Sequence, residues 1–184
     1  VVNPVGGYEN KTTVANPISG YQIAAPEIIA KTGWTTDELA SAIAQTVFLP
    51  AYDFVSLLIG VNNQYRGRAV DEFENEFEGL LKLAIQFAGE AAKNVFVISI
   101  PDWGVTPFAK DRDIIKIAEE IDAYNKVCER MAALYKSNSI SITESQRIDS
   151  ISPEYVASDG LHPSGKEYEK WAMKLAEMIS VELK

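Results

Sequence analysis

The segment Asn94-Val95-Phe96-Val97-Ile98-Ser99-Ile100 is apolar at nearly every position. A strand with one wet face alternates apolar and polar residues. A near-continuous β-branched run is instead buried on both faces, as in a parallel sheet covered by helices on two sides. Three further runs read as strands: Pro26 to Lys31, Phe54 to Ile59 and Ser139 to Thr143. Segments of helical period separate them. Thr36 to Gln45 opens with Asp37 and Glu38, charges that suit a helix N-terminus. Ala69 to Lys93 carries Phe73, Phe77, Leu80, Leu81, Ala84 and Phe87 on one stripe, and Asp111 to Lys136 carries Ile114, Ile117, Ile121, Tyr124, Val127, Met131 and Leu134. Ser164 to Leu183 opens with Ser164 and Glu167, spaced as a capping box. Strands alternating with helices predict an α/β fold with a mostly parallel sheet covered on both sides.

The 184 residues suit one domain spanning 1–184. Its first part does not follow the pattern. Pro4, Gly6, Gly7, Asn10, Asn16, Pro17 and Gly20 interrupt Val1 to Gln22, which reads as irregular. The acidic stretch Asp71 to Glu78 places Phe73 and Phe77 at core spacing and its acids on other faces, so a solvated helix face is expected there.

Composition works by exclusion. One cysteine, Cys128, and one histidine, His162, rule out an internal disulfide, a multi-cysteine metal site and a histidine-rich one. Cys128 falls in the apolar stripe with Tyr124, Val127 and Met131 and reads as core. A net charge of −9 disfavours nucleic acid and anionic membrane as partners. No apolar run reaches the roughly 18 residues of a membrane span, and no charged-then-apolar leader opens the sequence. A soluble protein, cytoplasmic or mature and exported, is expected; nothing in the sequence sets its oligomeric state.

Ligands of an open parallel sheet bind at the carboxyl ends of the strands. After the first run comes Thr32-Gly33-Trp34-Thr35-Thr36, where a glycine next to a helix start can turn its N–H toward a substrate. After the second comes Gly60-Val61-Asn62-Asn63-Gln64-Tyr65-Arg66-Gly67, whose side-chain amides are neutral donors suited to a developing oxyanion. After the third, Pro101-Asp102-Trp103-Gly104-Val105-Thr106-Pro107-Phe108 is a stiff aromatic loop; Trp34, Tyr65, Trp103 and Phe108 are candidates for an apolar wall. The last loop holds Ser158-Asp159-Gly160-Leu161-His162-Pro163. An acid three residues before a histidine can fix the imidazole tautomer and leave the ring to take a proton from a hydroxyl.

Taken singly, Gly33, Gly60, Asn62, Asn63 and Asp159 are also ordinary turn formers. Their order, each after a strand, resembles the SGNH (GDSL-type) hydrolase family of esterases and acylhydrolases. The glycine block resembles Gly33 in its setting, the Gly-x-Asn-Asp block resembles Gly60-Val61-Asn62-Asn63, and the Asp-x-x-His-Pro block is matched by Asp159-Gly160-Leu161-His162-Pro163. The likeness runs from about Ile23 to Lys184. It implies a flavodoxin-like three-layer α/β/α sandwich with a five-stranded sheet, no metal or organic cofactor, and a small-molecule ester as substrate. It further implies that His162 is the general base, Asp159 its orienting acid, and Gly33 N–H with the Asn62 amide the oxyanion donors.

Two departures stand out. Asn63 replaces the family's usual Asp, and the Gly-Asp-Ser block that supplies the nucleophile is absent. The only serine before Gly33 is Ser19, and the six residues between it and Pro26 are too few for a crossover helix. The family's first strand lies inside the sheet, between the runs at Ile28 and Leu57. Its loss would leave buried backbone groups unpaired at about 1–3 kcal/mol each. The expectation is therefore that the natural protein carries a piece ahead of Val1, or that Val1 to Gln22 fills the slot. A non-catalytic carbohydrate- or acyl-binding relative is the alternative function. A nucleotide or flavin binder lacks any Gly-x-Gly-x-x-Gly or phosphate loop.

Overall fold

The computed structural model describes residues 24–182. Val1 to Gln22, and with it Ser19, lies outside them. Three parallel strands form the sheet: β1 (Val55–Leu57), β2 (Val95–Ile98) and β3 (Asn138–Ile140), in the spatial order β1-β2-β3. Val55 sits opposite Val95 and Ile98 opposite Ile140. Among the described residues six α-helices accompany them: α1 (Thr36–Ala44), α2 (Val61–Tyr65), α3 (Val70–Phe87), α4 (Ile114–Tyr135), α5 (Thr143–Asp149) and α6 (Gly165–Glu182).

The central strand explains the layering. All four residues of β2 are buried, as the unbroken apolar run required. Val95 and Val97 point to one side, where they join Leu57, Leu39 of α1, Phe73, Phe77 and Leu81 of α3, and Ile121 and Tyr124 of α4. Phe96 and Ile98 point to the other, against Ile140, Ile142 and the α6 residues Trp171, Ala176 and Ile179. Strand period two thus feeds two apolar clusters, giving helix, sheet and helix in three layers. Burying each such side chain contributes about 1.5–3 kcal/mol. The acids of α3 face outward: Glu74 pairs with Arg130, and Glu72 and Glu76 with Arg68.

Three local expectations are corrected. Pro26 to Lys31 is not a strand: it makes no ladder with β1, and Ile28 is exposed. An apolar run becomes a strand only where a neighbour accepts its backbone hydrogen bonds, and β1 is the edge of the described sheet. Three strands are therefore found among the described residues, not five. The Ser164–Glu167 capping box does not form either. The Ser164 hydroxyl donates to Glu154 O (2.6 Å), while Glu167 is fully buried and accepts from the Trp171 indole (2.6 Å). The box lies instead on α1, where the Glu38 carboxylate accepts from both Thr35 N–H and its hydroxyl at 2.9 Å. Finally, α5 follows β3 directly, because Ser99 Oγ accepts the Ile142 N–H (2.9 Å) and the Thr143 hydroxyl donates to Ile100 O (2.8 Å), ending the strand there.

Candidate active site

His162 is held in a tight loop between a single helical turn (Pro153–Tyr155) and α6. Val156 bridges Pro163, Ala157 N–H donates to His162 O (2.7 Å), and Gly160 takes φ +70° at the tip. Inside this loop Asp159 Oδ1 accepts the N–H groups of Leu161 and His162, both at 2.9 Å. Its other oxygen lies 2.6 Å from His162 Nδ1. Burial by itself would raise the Asp159 carboxyl; the two N–H donors and the imidazole outweigh it and bring the group down to about 2. An ionised carboxylate only accepts, so Nδ1 carries a proton, and in the neutral ring that leaves the lone pair on Nε2. Among the described residues Nε2 has no hydrogen-bond partner.

The second corner forms at the end of β1. Gly60 has φ +128°, and a Cβ there would sit 2.7 Å from the Phe73 ring, so the chain turns into α2 only with glycine. Asn62 then reaches Gly33's turn, donating Nδ2–H to Trp34 O (3.0 Å). An amide nitrogen has two hydrogens, so one remains without an acceptor among the described residues. Gly33 itself has φ +88°, its carbonyl is held by the Arg66 guanidinium (2.7 Å), and its N–H makes no hydrogen bond among the described residues. Arg66 is held in turn by Glu38 at 3.4 Å.

Asn63, beside Asn62, does a different job. It is wholly buried; its Oδ1 accepts Thr36 N–H (3.1 Å) and its Nδ2 donates to the Thr36 hydroxyl (2.6 Å). The residue standing where an Asp is usual is thus a clamp between the Gly60 and Gly33 turns.

Asp159 with His162, and Asn62 with Gly33, are the two groupings the structure brings together. An aromatic bridge connects them. Tyr65, one turn after Asn62, packs on Trp103 (5.2 Å) and Phe108 (6.5 Å), and Phe108 N–H donates to Gly160 O (2.9 Å). Trp103 is fixed from behind by Gln64, which accepts its indole N–H (2.7 Å) and donates to Glu120 (2.7 Å). Asp102, 1% exposed, holds the same loop through Gly104 N–H (2.7 Å) and Arg147 (2.8 Å). Sequence reasoning missed Gln64, Asp102 and Arg147 as supports; their partners are 39–45 residues away, so no spacing could reveal them.

No described serine hydroxyl is hydrogen-bonded to His162, and the nucleophile is not placed by these residues. Cys128 is not a substitute: burial pushes its thiol far up. Among the described residues no cluster of His, Cys, Asp or Glu could hold a metal, and no helix is long and apolar enough to cross a membrane.

A parallel α/β/α sandwich carrying an Asp–His pair and an amide corner at the carboxyl edge of its strands defines the SGNH class of hydrolase folds. The chain belongs to the GDSL-like lipase/acylhydrolase family, whose model matches residues 6–170. Solved structures agree on the fold. The lipase/acylhydrolase from Enterococcus faecalis superposes with a TM-score of 0.63 at 20% identity, over 82% of this chain and 72% of that one. An acetylxylan esterase from Geobacillus stearothermophilus gives 0.61 at 19% identity, over 80% and 68%. An α/β hydrolase from the metagenome of Lake Arreo, Spain, gives 0.57 at 19% identity, again over 80% and 68%. No curated protein sequence matches at a significant level.

Proposed function

We propose that this protein hydrolyses carboxylic esters of small molecules through a serine acyl-enzyme, with no cofactor. The observation that carries the reading is the Asp159–His162 pair: an ionised carboxylate 2.6 Å from Nδ1, braced by two backbone donors, with Nε2 open. In this reading a serine oxygen attacks the ester carbonyl as His162 Nε2 takes its proton. Negative charge collects on the carbonyl oxygen, which receives the Gly33 N–H and the second Asn62 amide hydrogen. The imidazolium, stabilised by Asp159, gives its proton to the departing alcohol oxygen. Water then attacks the acyl-serine as His162 takes its proton, and the imidazolium returns that proton to the serine oxygen as the carboxylic acid departs. The acetylxylan esterase among the structural neighbours makes acetylated sugars a natural first substrate set.

A fluorophosphonate probe with peptide mapping tests this. One serine labelled, and labelling lost in His162→Ala, supports it. Folded protein that neither labels nor turns over p-nitrophenyl acetate favours the second reading, a non-catalytic binding domain, for which the observation is that no described serine meets His162. Ser19 is the named candidate upstream of Gly33: a label on Ser19 would place the nucleophile there.

A further inference from the structure

We infer that Asp159-Gly160 is a latent isoaspartate site, at which the acid beside His162 can cyclise onto the next peptide nitrogen, and that the folded loop holds this reaction shut. The chemistry stands apart from the esterase reading above. Only its consequence for catalysis rests on that reading.

The pair is the one place in the 184 residues where an Asp or Asn precedes glycine. Glycine has no Cβ to shield its nitrogen or to restrict the peptide ahead of it. The reaction needs no partner but water. The Gly160 amide gives its proton to solvent, and its nitrogen bonds to Asp159 Cγ. One carboxyl oxygen leaves as water, taking its own proton and one from solvent, and a five-membered imide remains. Water then opens the ring. Addition at Cγ restores aspartate. Addition at the main-chain carbonyl carbon of Asp159 leaves the chain running through the side chain, one carbon longer.

Water reaches the site, since the Asp159 side chain is 44% exposed. The loop opposes ring closure at both reacting atoms. The Gly160 N–H donates to Ala157 O (3.0 Å), so freeing the nitrogen breaks that turn. The Gly160 carbonyl is tied as well, accepting Phe108 N–H (2.9 Å), so the chain is held on both sides of the residue. At the carboxyl group, Oδ1 accepts from Leu161 and His162 N–H at 2.9 Å, and Oδ2 lies 2.6 Å from His162 Nδ1. None of these three partners is the Gly160 nitrogen. Swinging Cγ onto that nitrogen gives up all three bonds.

Ionisation adds to the barrier, because the departing oxygen must carry a proton. Burial opposes ionisation, yet the donors hold the carboxyl at about 2. At pH 5 about one Asp159 in a thousand is then protonated, against about one in fifteen at the ordinary aspartate value. The imidazole that Asp159 orients is therefore also one of its guards. If the ring does form and opens the wrong way, the extra carbon moves the carboxylate out of register with the Leu161 and His162 N–H groups. His162 then loses its brace.

The test ages the full chain at pH 5, folded and in concentrated urea, and counts isoaspartate by peptide mapping with isoaspartyl methyltransferase. In urea, Asp159 should be the fastest-isomerising aspartate, and Gly160→Asn should slow it about tenfold by restoring a Cβ beside the nitrogen. Folding should slow the wild type about fiftyfold or more. Folded His162→Ala should isomerise about fivefold faster than folded wild type, one partner of the carboxylate being gone. If that variant does not fold, the wild-type comparison decides alone. Equal rates in folded and unfolded wild type, or faster isomerisation at another aspartate in urea, overturns the inference. In aged folded protein, p-nitrophenyl acetate turnover should fall in step with the isoaspartyl fraction and return after repair by the methyltransferase and its methyl donor. Turnover that ignores that fraction overturns the consequence for His162. If fresh protein turns over no ester and no serine is labelled, the esterase reading fails separately, and the isoaspartate count still decides the inference.

Discussion

The base loop and the oxyanion corner are built in opposite ways. Asp159, Leu161 and His162 make every bond of the base pair within four residues, 159 to 162. The corner is assembled from segments 27 to 33 residues apart, through Asn62 to Trp34 O, Arg66 to Gly33 O and Asn63 to Thr36. The lesson is that the Asp159–His162 pair can survive local damage elsewhere, whereas the corner depends on the whole helix–sheet layer being in place. Variants can be chosen to break one and spare the other.

The largest effect is expected at the base. His162→Ala should lower kcat/KM on p-nitrophenyl acetate by about 10⁴-fold or more, and Asp159→Asn by about 10³- to 10⁴-fold, as expected when the acceptor that fixes the imidazole tautomer is lost. Asp159 also has a pH signature. Its carboxyl is held at about 2 in the folded protein, below its ordinary value. The stability it contributes is therefore complete above the ordinary carboxylate range and is lost as pH falls toward 2. The gap in thermal midpoint between wild type and Asp159→Asn should close as pH falls from 4 to 2. A gap that widens over that interval would contradict the braced geometry.

Next in size is the corner. Asn62→Ala should lower kcat by about 10²- to 10³-fold with KM little changed, because an oxyanion donor acts on the transition state. An equal rise in KM would assign Asn62 to ground-state binding instead. The Nδ1 proton of His162, read by NMR far downfield, should persist in Asn62→Ala and disappear in Asp159→Asn. Loss in both would erase the distinction between a local and an assembled half.

A smaller effect belongs to the clamp. Asn63→Ala leaves the buried Thr36 N–H without its acceptor, a loss of about 1–3 kcal/mol, or roughly 2–12 °C in thermal midpoint for a chain of this size. Activity should fall with it, since the Gly33 turn loses its tie to α2, while the His162 Nδ1 signal stays. Asn63→Asp keeps the acceptor and should recover most of the stability.

These contrasts also explain what the sequence could show. The base pair was legible because its geometry is set by a three-residue spacing. The α/β class was legible because Val95 to Ile98 is apolar on both strand faces and Phe73, Phe77 and Leu81 follow helical period. Asn62 was legible as a position after a strand and Gly33 as a glycine just ahead of a helix, but not the division of labour between Asn62 and Asn63, which depends on Thr36 from another element. Pro26 to Lys31 was misread since an apolar run carries no information on whether a neighbouring strand is there to pair with it. The Ser164–Glu167 box was misread for a related reason: the spacing was right, but Trp171, one turn further along α6, offers Glu167 an indole N–H inside the core.

That misreading leads to the smallest and most specific expectation. Glu167 begins the helix that follows the base loop, is fully buried, and has one oxygen without a hydrogen bond, 3.9 Å from the Lys170 ammonium that pairs with Asp149. Burial raises its carboxyl above the ordinary value, against the opposing pull of the Trp171 N–H and Lys174. A raised acid binds its proton more tightly when folded, so its favourable contribution is present below the unfolded value. It is lost as pH rises through the folded one. Glu167→Gln keeps the bond to Trp171 and removes the ionisation. Relative to wild type, its thermal midpoint should therefore rise between pH 4 and pH 8, by a few degrees at most. Since Glu167 bonds to Trp171 within α6 and makes no hydrogen bond or ion pair to Asp159 or His162, the pH profile of kcat/KM should keep its shape. A shifted acid limb would show that the base loop leans on α6 and is less self-contained than its four residues suggest.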